Sequence, residues 1–133
     1  MTDLLKRYRI IRSAIPPVFI LWTAIMLILT LLPGESLPSS RLFAYDKIGH
    51  FGMFGGWTFF LGLYFIVYRE NARTNLFLLM LAGILFGTFI EGLQFVLPAS
   101  RSATWGDIAA NSLGCFFAYV LLHPIRNYLK KEK

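Results

Sequence analysis

The chain is poor in everything a soluble enzyme of its size normally displays. Of its 133 residues only 15% are charged, against roughly 25% in ordinary globular chains. Asp and Glu together number 7, and there are 2 His and 1 Cys. One cysteine, Cys115, excludes an intrachain disulfide and any cysteine-based metal motif. Because it lies inside an apolar run, it is expected to be a reduced, buried thiol. No H-E-x-x-H or other multi-ligand spacing points to a metal, and no cofactor is expected. Neither an internal repeat nor a low-complexity stretch is present.

What the chain has in abundance is apolar surface. Hydrophobic residues make up 56% of it, more than a small soluble fold can hide. Four stretches approach or exceed the roughly 20 mostly apolar residues that a spanning helix needs. They run from about Pro16 to Leu32, Ile48 to Tyr68, Leu76 to Leu97, and Gly106 to His123. The expected fold is therefore all-α, an integral membrane four-helix bundle forming one domain over 1–133. Pro16 and Pro17 suit a first helical turn. Pro33-Gly34, Pro98 and Pro124 suit helix ends. Trp22, Trp57, Tyr68, Trp105 and Tyr128 include interface aromatics. The first apolar run is too long for a cleaved signal peptide, and no small-x-small site follows it.

The net charge of +6 does not suggest nucleic acid, because the basic residues are concentrated at the chain ends. Lys6, Arg7, Arg9 and Arg12 precede the first span. Arg69 and Arg73 lie between the second and third, and Arg126, Lys130, Lys131 and Lys133 follow the fourth. With four spans these share one side, and only Arg41, Lys47 and Arg101 fall on the other. The positive-inside rule then places both termini in the cytoplasm. Membrane lipids are the expected partners, with no nucleic acid, and a homo-oligomer is compatible with the sequence.

The other polar residues gather toward the opposite, outward side: Asp46, Lys47, His50, Glu91, Gln94, Arg101, Asp107 and Asn111. Glu91 is six residues before Leu97, roughly 9 Å below the outer boundary at 1.5 Å per residue. Glu91 and Gln94 are i and i+3, neighbours on one face. Asp107, Asn111 and Gly114 are i, i+4 and i+7 on another. Gly83, Gly87, Gly114 and Ala118 allow close helix approach. The pattern describes a bundle tight on the inner side and polar on the outer.

Each of these residues has a bland and a sharp reading. Glu91 either fixes packing through an interhelical bond or serves as a base or ligand, since membrane carboxylates are functional by default. His50 caps the bundle or transfers protons. Lys47 and Arg101 snorkel to lipid phosphates, or they recognise a phosphate headgroup, for which Arg offers a planar fork of donors. Asp107 is a first-turn acid for the fourth helix or part of the cluster. Asn111 suggests an interhelical hydrogen bond. The candidate catalytic residues are His50, Glu91 and Asp107, and the candidate substrate-binding set is the eight outward residues. His123 lies on the other side and is unrelated.

These blocks resemble the VanZ-like family. Asp46-Lys47-Ile48-Gly49-His50-Phe51 is similar to its D-K-x-x-H-F pattern, and Glu91-Gly92-Leu93-Gln94 to its E-x-x-Q. Arg101, Asp107, Asn111 and Gly114 are similar to its R-x5-D-x3-N-x2-G. The resemblance covers about residues 15–122, with Ala118 where many members have a further glycine. It implies a small multi-pass protein of a bacterial cytoplasmic (inner) membrane. The family's named member is linked to teicoplanin resistance, but the family supplies no agreed reaction. The leading expectation is an outward-facing pocket for the headgroup of a lipid or lipid-linked envelope precursor, affecting the envelope and glycopeptide susceptibility. One alternative is an outer-leaflet hydrolase or transferase acting on a phospholipid or polyprenyl-phosphate. Another is a structural or partner-binding module. A transporter is disfavoured, because the inner half lacks matching polar residues.

Overall fold

The computed structural model describes residues 2–31, 42–97 and 104–131, without the side chains of residues 2–4 and 42–46. The described residues form helices α1 (Thr2–Leu31), α2 (Leu42–Leu63), α3 (Leu76–Val96) and α4 (Trp105–Lys131), with a π-helical turn (Tyr64–Tyr68) extending α2. No strand occurs among them. Each of the four helices is long and apolar enough to cross a membrane, over Leu5–Leu31, Lys47–Tyr68, Leu76–Val96 and Trp105–Lys131. Their outward surface carries Ile20, Leu85, Phe89, Leu113 and Phe116, each more than half exposed. In water that surface would be an aggregation liability; against acyl chains it is the expected solvent boundary.

The helices run up and down. Near the start of α1, the Arg12 guanidinium reaches the Tyr68 carbonyl at 3.0 and 3.2 Å. Near the end of α4, Arg126 donates to the Thr74 carbonyl at 3.4 Å. Both chain ends therefore meet the 69–75 connection at one end of the bundle, called here the terminal end. The far end carries the last turn of α1, the start of α2, the end of α3 and the start of α4.

Two helix limits differ from what proline placement predicts. The sequence puts the start of the first span at Pro16, yet α1 begins at Thr2 and passes through both Pro16 and Pro17. The sequence likewise ends the fourth span at His123, yet α4 passes Pro124 and continues to Lys131. Each proline removes one bond to the carbonyl four residues earlier, here at Arg12, Ser13 and Val120. The helices survive because good helix formers such as Leu5, Lys6 and Arg7 on one side and Leu129 and Lys130 on the other carry them onward. Pro33-Gly34 and Pro98 lie outside the described residues.

Packing is closest between α2 and α4. A Cβ built on Gly55 would stand 2.9 Å from the Gly114 carbonyl oxygen, and one on Gly114 would stand 3.0 Å from the Gly55 nitrogen and collide with the Phe51 carbonyl. One turn toward the terminal end, Gly83 of α3 leaves room for Thr58 and Cys115, where the Thr58 hydroxyl donates to the buried Cys115 sulfur at 3.2 Å. Met26, Phe54, Met80, Ile90 and Cys115 form the central core. Ile66, Leu76 and Leu122 form a second one toward the terminal end. α1 is tied on by Trp22, whose ring fills the space left by Gly56 and whose indole N–H donates to the Met53 carbonyl at 3.0 Å.

A buried polar centre at the far end

One turn beyond the Gly55–Gly114 contact, three helices each contribute one polar side chain to a single point. His50 comes from α2, Glu91 from α3 and Asn111 from α4, and they are 3%, 2% and 1% exposed. His50 Nδ1 stands 3.1 Å from Asn111 Oδ1 and 3.1 Å from Glu91 Oε1. Asn111 Nδ2 donates to the same Glu91 Oε1 at 3.2 Å. Nδ1 thus faces a carboxylate oxygen and an amide oxygen, the arrangement that suits a ring nitrogen as donor. Phe54, fully buried one turn below, stacks under the imidazole with ring centroids 6.3 Å apart and 10° between planes. Gly87, one turn from Glu91, makes room for Asn111. A Cβ there would come within 3.2 Å of the Asn111 Cβ and Nδ2.

The two carboxylate oxygens of Glu91 differ sharply. Oε1 accepts from both neighbours, whereas Oε2 is buried with no hydrogen-bond partner among the described residues. A buried oxygen left without a donor costs about 1–3 kcal/mol, and more when it is charged. Trp57 Nε1 and Arg126 Nε are also buried without a partner among the described residues, so what distinguishes Glu91 Oε2 is its place in a three-helix polar network.

The other sequence candidates are placed differently. Gln94 is buried on the expected face of α3, but its amide donates to the Thr30 carbonyl at 2.6 Å. Thr30 lies in the last turn of α1, where carbonyls lack helical partners, so Gln94 ties α3 to α1. Asp107 is 5% exposed and closes a capping box with Thr104. Its Oδ2 accepts from the Thr104 N–H at 3.1 Å and the Thr104 hydroxyl at 2.6 Å, and its own N–H donates to that hydroxyl at 3.3 Å. These bonds satisfy the start of α4, and none links Asp107 to His50, Glu91 or Asn111. Lys47 is exposed and lays its chain across the first turn of α4, its Nζ 3.2 Å from where a Gly106 Cβ would be. The Asp46 side chain and all of Arg101 lie outside the described residues.

Sequence reasoning passed over Thr30, Thr104 and Phe54. Thr104-x-x-Asp107 has capping-box spacing and was detectable. The Thr30 carbonyl has no side-chain signal at all. Among the described residues no group of three or more His, Cys, Asp or Glu is placed to hold a metal ion. Comparison with protein-family models, with curated proteins and with solved structures gives no match.

Proposed function

We propose that this is a multi-pass membrane protein of VanZ-like type whose far-end polar centre binds the headgroup of a lipid or lipid-linked envelope precursor. The supporting observation is Glu91 Oε2, a buried acceptor with no donor among the described residues, beside a histidine and an amide already engaged with its twin oxygen. A headgroup hydroxyl, amide or ammonium supplies the missing donor. Lys47 at the start of α2 and Arg101 before α4 hold its phosphate, Arg through a two-pronged contact. The termini, rich in Lys and Arg, face the cytoplasm, so the polar centre serves the outer leaflet. Through this headgroup the protein acts on the cell envelope, and the sequence resemblance extends that action to teicoplanin susceptibility.

The test is lipid co-purification from wild type, Glu91→Gln and Arg101→Ala, with thermal stability measured on each. Gln keeps the volume of Glu and an acceptor for Asn111 while removing the charge. Both variants should fold and lose the headgroup class retained by wild type. Identical lipid profiles refute headgroup binding.

A second reading rests on a different observation. His50, Glu91 and Asn111 bond one another across three helices, and such a network specifies how α2, α3 and α4 assemble. On that reading Glu91→Gln lowers stability and leaves the bound lipids unchanged.

A further inference from the structure

The terminal end of the bundle carries a second site, built from different residues. A wide-mouthed groove of about 480 Å³ lies between α1 and the end of the π-helical turn, lined by Arg9, Arg12, Ser13, Tyr68 and Arg69. Arg9, Arg12 and Ser13 are i, i+3 and i+4 on α1, so one helix face supplies them. Tyr68 and Arg69 come from the opposite wall. Its size is within the range of small-ligand sites.

The groove is held open by a specific arrangement. The π-helical turn ends at Tyr68, leaving a carbonyl without a helical partner. Arg12 donates to it from both Nε and Nη2, at 3.2 and 3.0 Å. Arg12 also pairs with the Glu70 carboxylate. Glu70 reaches that position with φ 52°, a left-handed conformation uncommon for anything but glycine, asparagine and aspartate. Arg12 is thereby spent on structure: it is neutralised and fixes the two walls against each other. Arg9 and Arg69 are exposed, and neither takes part in an ion pair among the described residues. Two uncompensated guanidinium groups facing one concave surface repel each other unless an anion lies between them, and a phosphate matches the planar fork of arginine donors.

The groove also sits at the level where phosphates are found. The apolar run of α1 begins after Arg12, and the spanning helix made by α2 and its π-helical turn ends at Tyr68. Arg9 and Arg69 therefore flank the membrane–water boundary on the terminal side. Long arginine side chains at such a boundary direct their heads to the interface.

We propose that this groove binds a phosphate group, with Arg9 and Arg69 as its ligands and the Arg12–Tyr68–Glu70 unit as the frame that positions them. The site is independent of the polar centre at the far end and stands whether or not that centre takes a headgroup. The phosphate belongs either to an anionic phospholipid of the terminal-side leaflet or to a soluble phosphate compound.

The experiment uses the full chain in a neutral detergent. Binding of phosphatidylglycerol, of zwitterionic phosphatidylcholine and of inorganic phosphate is counted by native mass spectrometry and by thermal shift. Wild type is compared with Arg9→Ala/Arg69→Ala, an exposed pair whose loss leaves the Arg12 frame in place. With each basic residue near an anionic surface contributing about fivefold, the double variant should bind phosphatidylglycerol about 10–30-fold more weakly. In the Glu91→Gln background the double substitution should produce the same fold loss in binding, since the groove shares no residue with the far-end centre. Preference for phosphatidylglycerol that millimolar inorganic phosphate does not displace assigns the site to lipid. Displacement by inorganic phosphate assigns it to a soluble phosphate compound. Equal binding of phosphatidylcholine, or unchanged binding in the double variant, overturns the proposal.

Discussion

Gly114→Ala should destabilise the bundle, whereas Gly92→Ala should stabilise it or leave it unchanged. Both replace one hydrogen with a methyl group within a helix, so both gain about 0.5–1 kcal/mol of helix propensity. Their surroundings decide the rest. Nothing lies within 4 Å of a Cβ built on Gly92. A Cβ on Gly114 stands 3.0 Å from the Gly55 nitrogen and collides with the Phe51 carbonyl. Both are backbone atoms of α2, so no rotamer change relieves the clash, and α2 and α4 must separate. Overpacking a tight contact costs about 1–3 kcal/mol, so Gly114→Ala should fall about 1–3 kcal/mol below Gly92→Ala, which has the same propensity gain and no clash. Unfolding in mixed micelles titrated with a denaturing detergent measures both variants against wild type. The separation acts one turn from the 3.1 Å His50–Asn111 contact, so Gly114→Ala should also loosen the polar centre. Equal stability of the two variants, or a stabilised Gly114→Ala, would refute the close α2–α4 approach.

Further outcomes follow from the bonds of the residues placed away from the centre. Thr104→Ala removes the N-cap of α4 and should cost about 0.5–2 kcal/mol in the same unfolding assay, without altering co-purified lipid. Gln94→Leu leaves the Thr30 carbonyl without its donor and should cost about 1–3 kcal/mol, again with the lipid profile intact. If either variant instead loses lipid while keeping wild-type stability, Gln94 or Asp107 with its Thr104 partner belongs to the ligand site rather than to the scaffold.

Different levels of the structure were legible in the sequence to different degrees. The third span, expected over Leu76–Leu97 and found over Leu76–Val96, and the start of the fourth, expected at Gly106 and found at Trp105, follow from length and flanking residues alone, because lipid rewards a continuous apolar stretch whatever its neighbours do. Pro16, Pro17 and Pro124 misled, since local rules treat proline as a boundary and these helices run through it. The convergence of His50, Glu91 and Asn111 was foreshadowed by helical spacing. Spacing defines a face, however, and not the partner that face meets. Gln94 shares a face with Glu91 yet bonds to α1, because the partner it finds is a backbone carbonyl that no side-chain pattern announces. Asp107 shares a face with Asn111 yet turns back on its own helix start. At the terminal end, Arg12 read only as one of several basic residues of the leading segment. Its bond to the Tyr68 carbonyl depends on where a π-helical turn stops, which charge counting does not address.

The glycine contact and the polar centre are consequences of each other. A carboxyl group within a bundle that crosses a bilayer needs partners, since an isolated charge at the centre of a spanning helix costs about 2.5–3.5 kcal/mol on insertion scales. Glu91 finds two, and both reach it only because the helices are unusually close. Gly55 and Gly114 bring α2 and α4 together, and Gly87 admits Asn111 against α3. Side chains at these positions would widen the gap and strand Glu91. The reverse dependence also holds, because the His50–Asn111–Glu91 bonds fix the rotation of each helix that puts glycine against glycine. Such mutual support accounts for Oε1, which accepts two bonds. It does not extend to Oε2, which has no donor among the described residues. Replacing that acceptor in Glu91→Gln therefore separates the two readings: loss of bound lipid with stability kept marks a site, and loss of stability with lipid kept marks a scaffold.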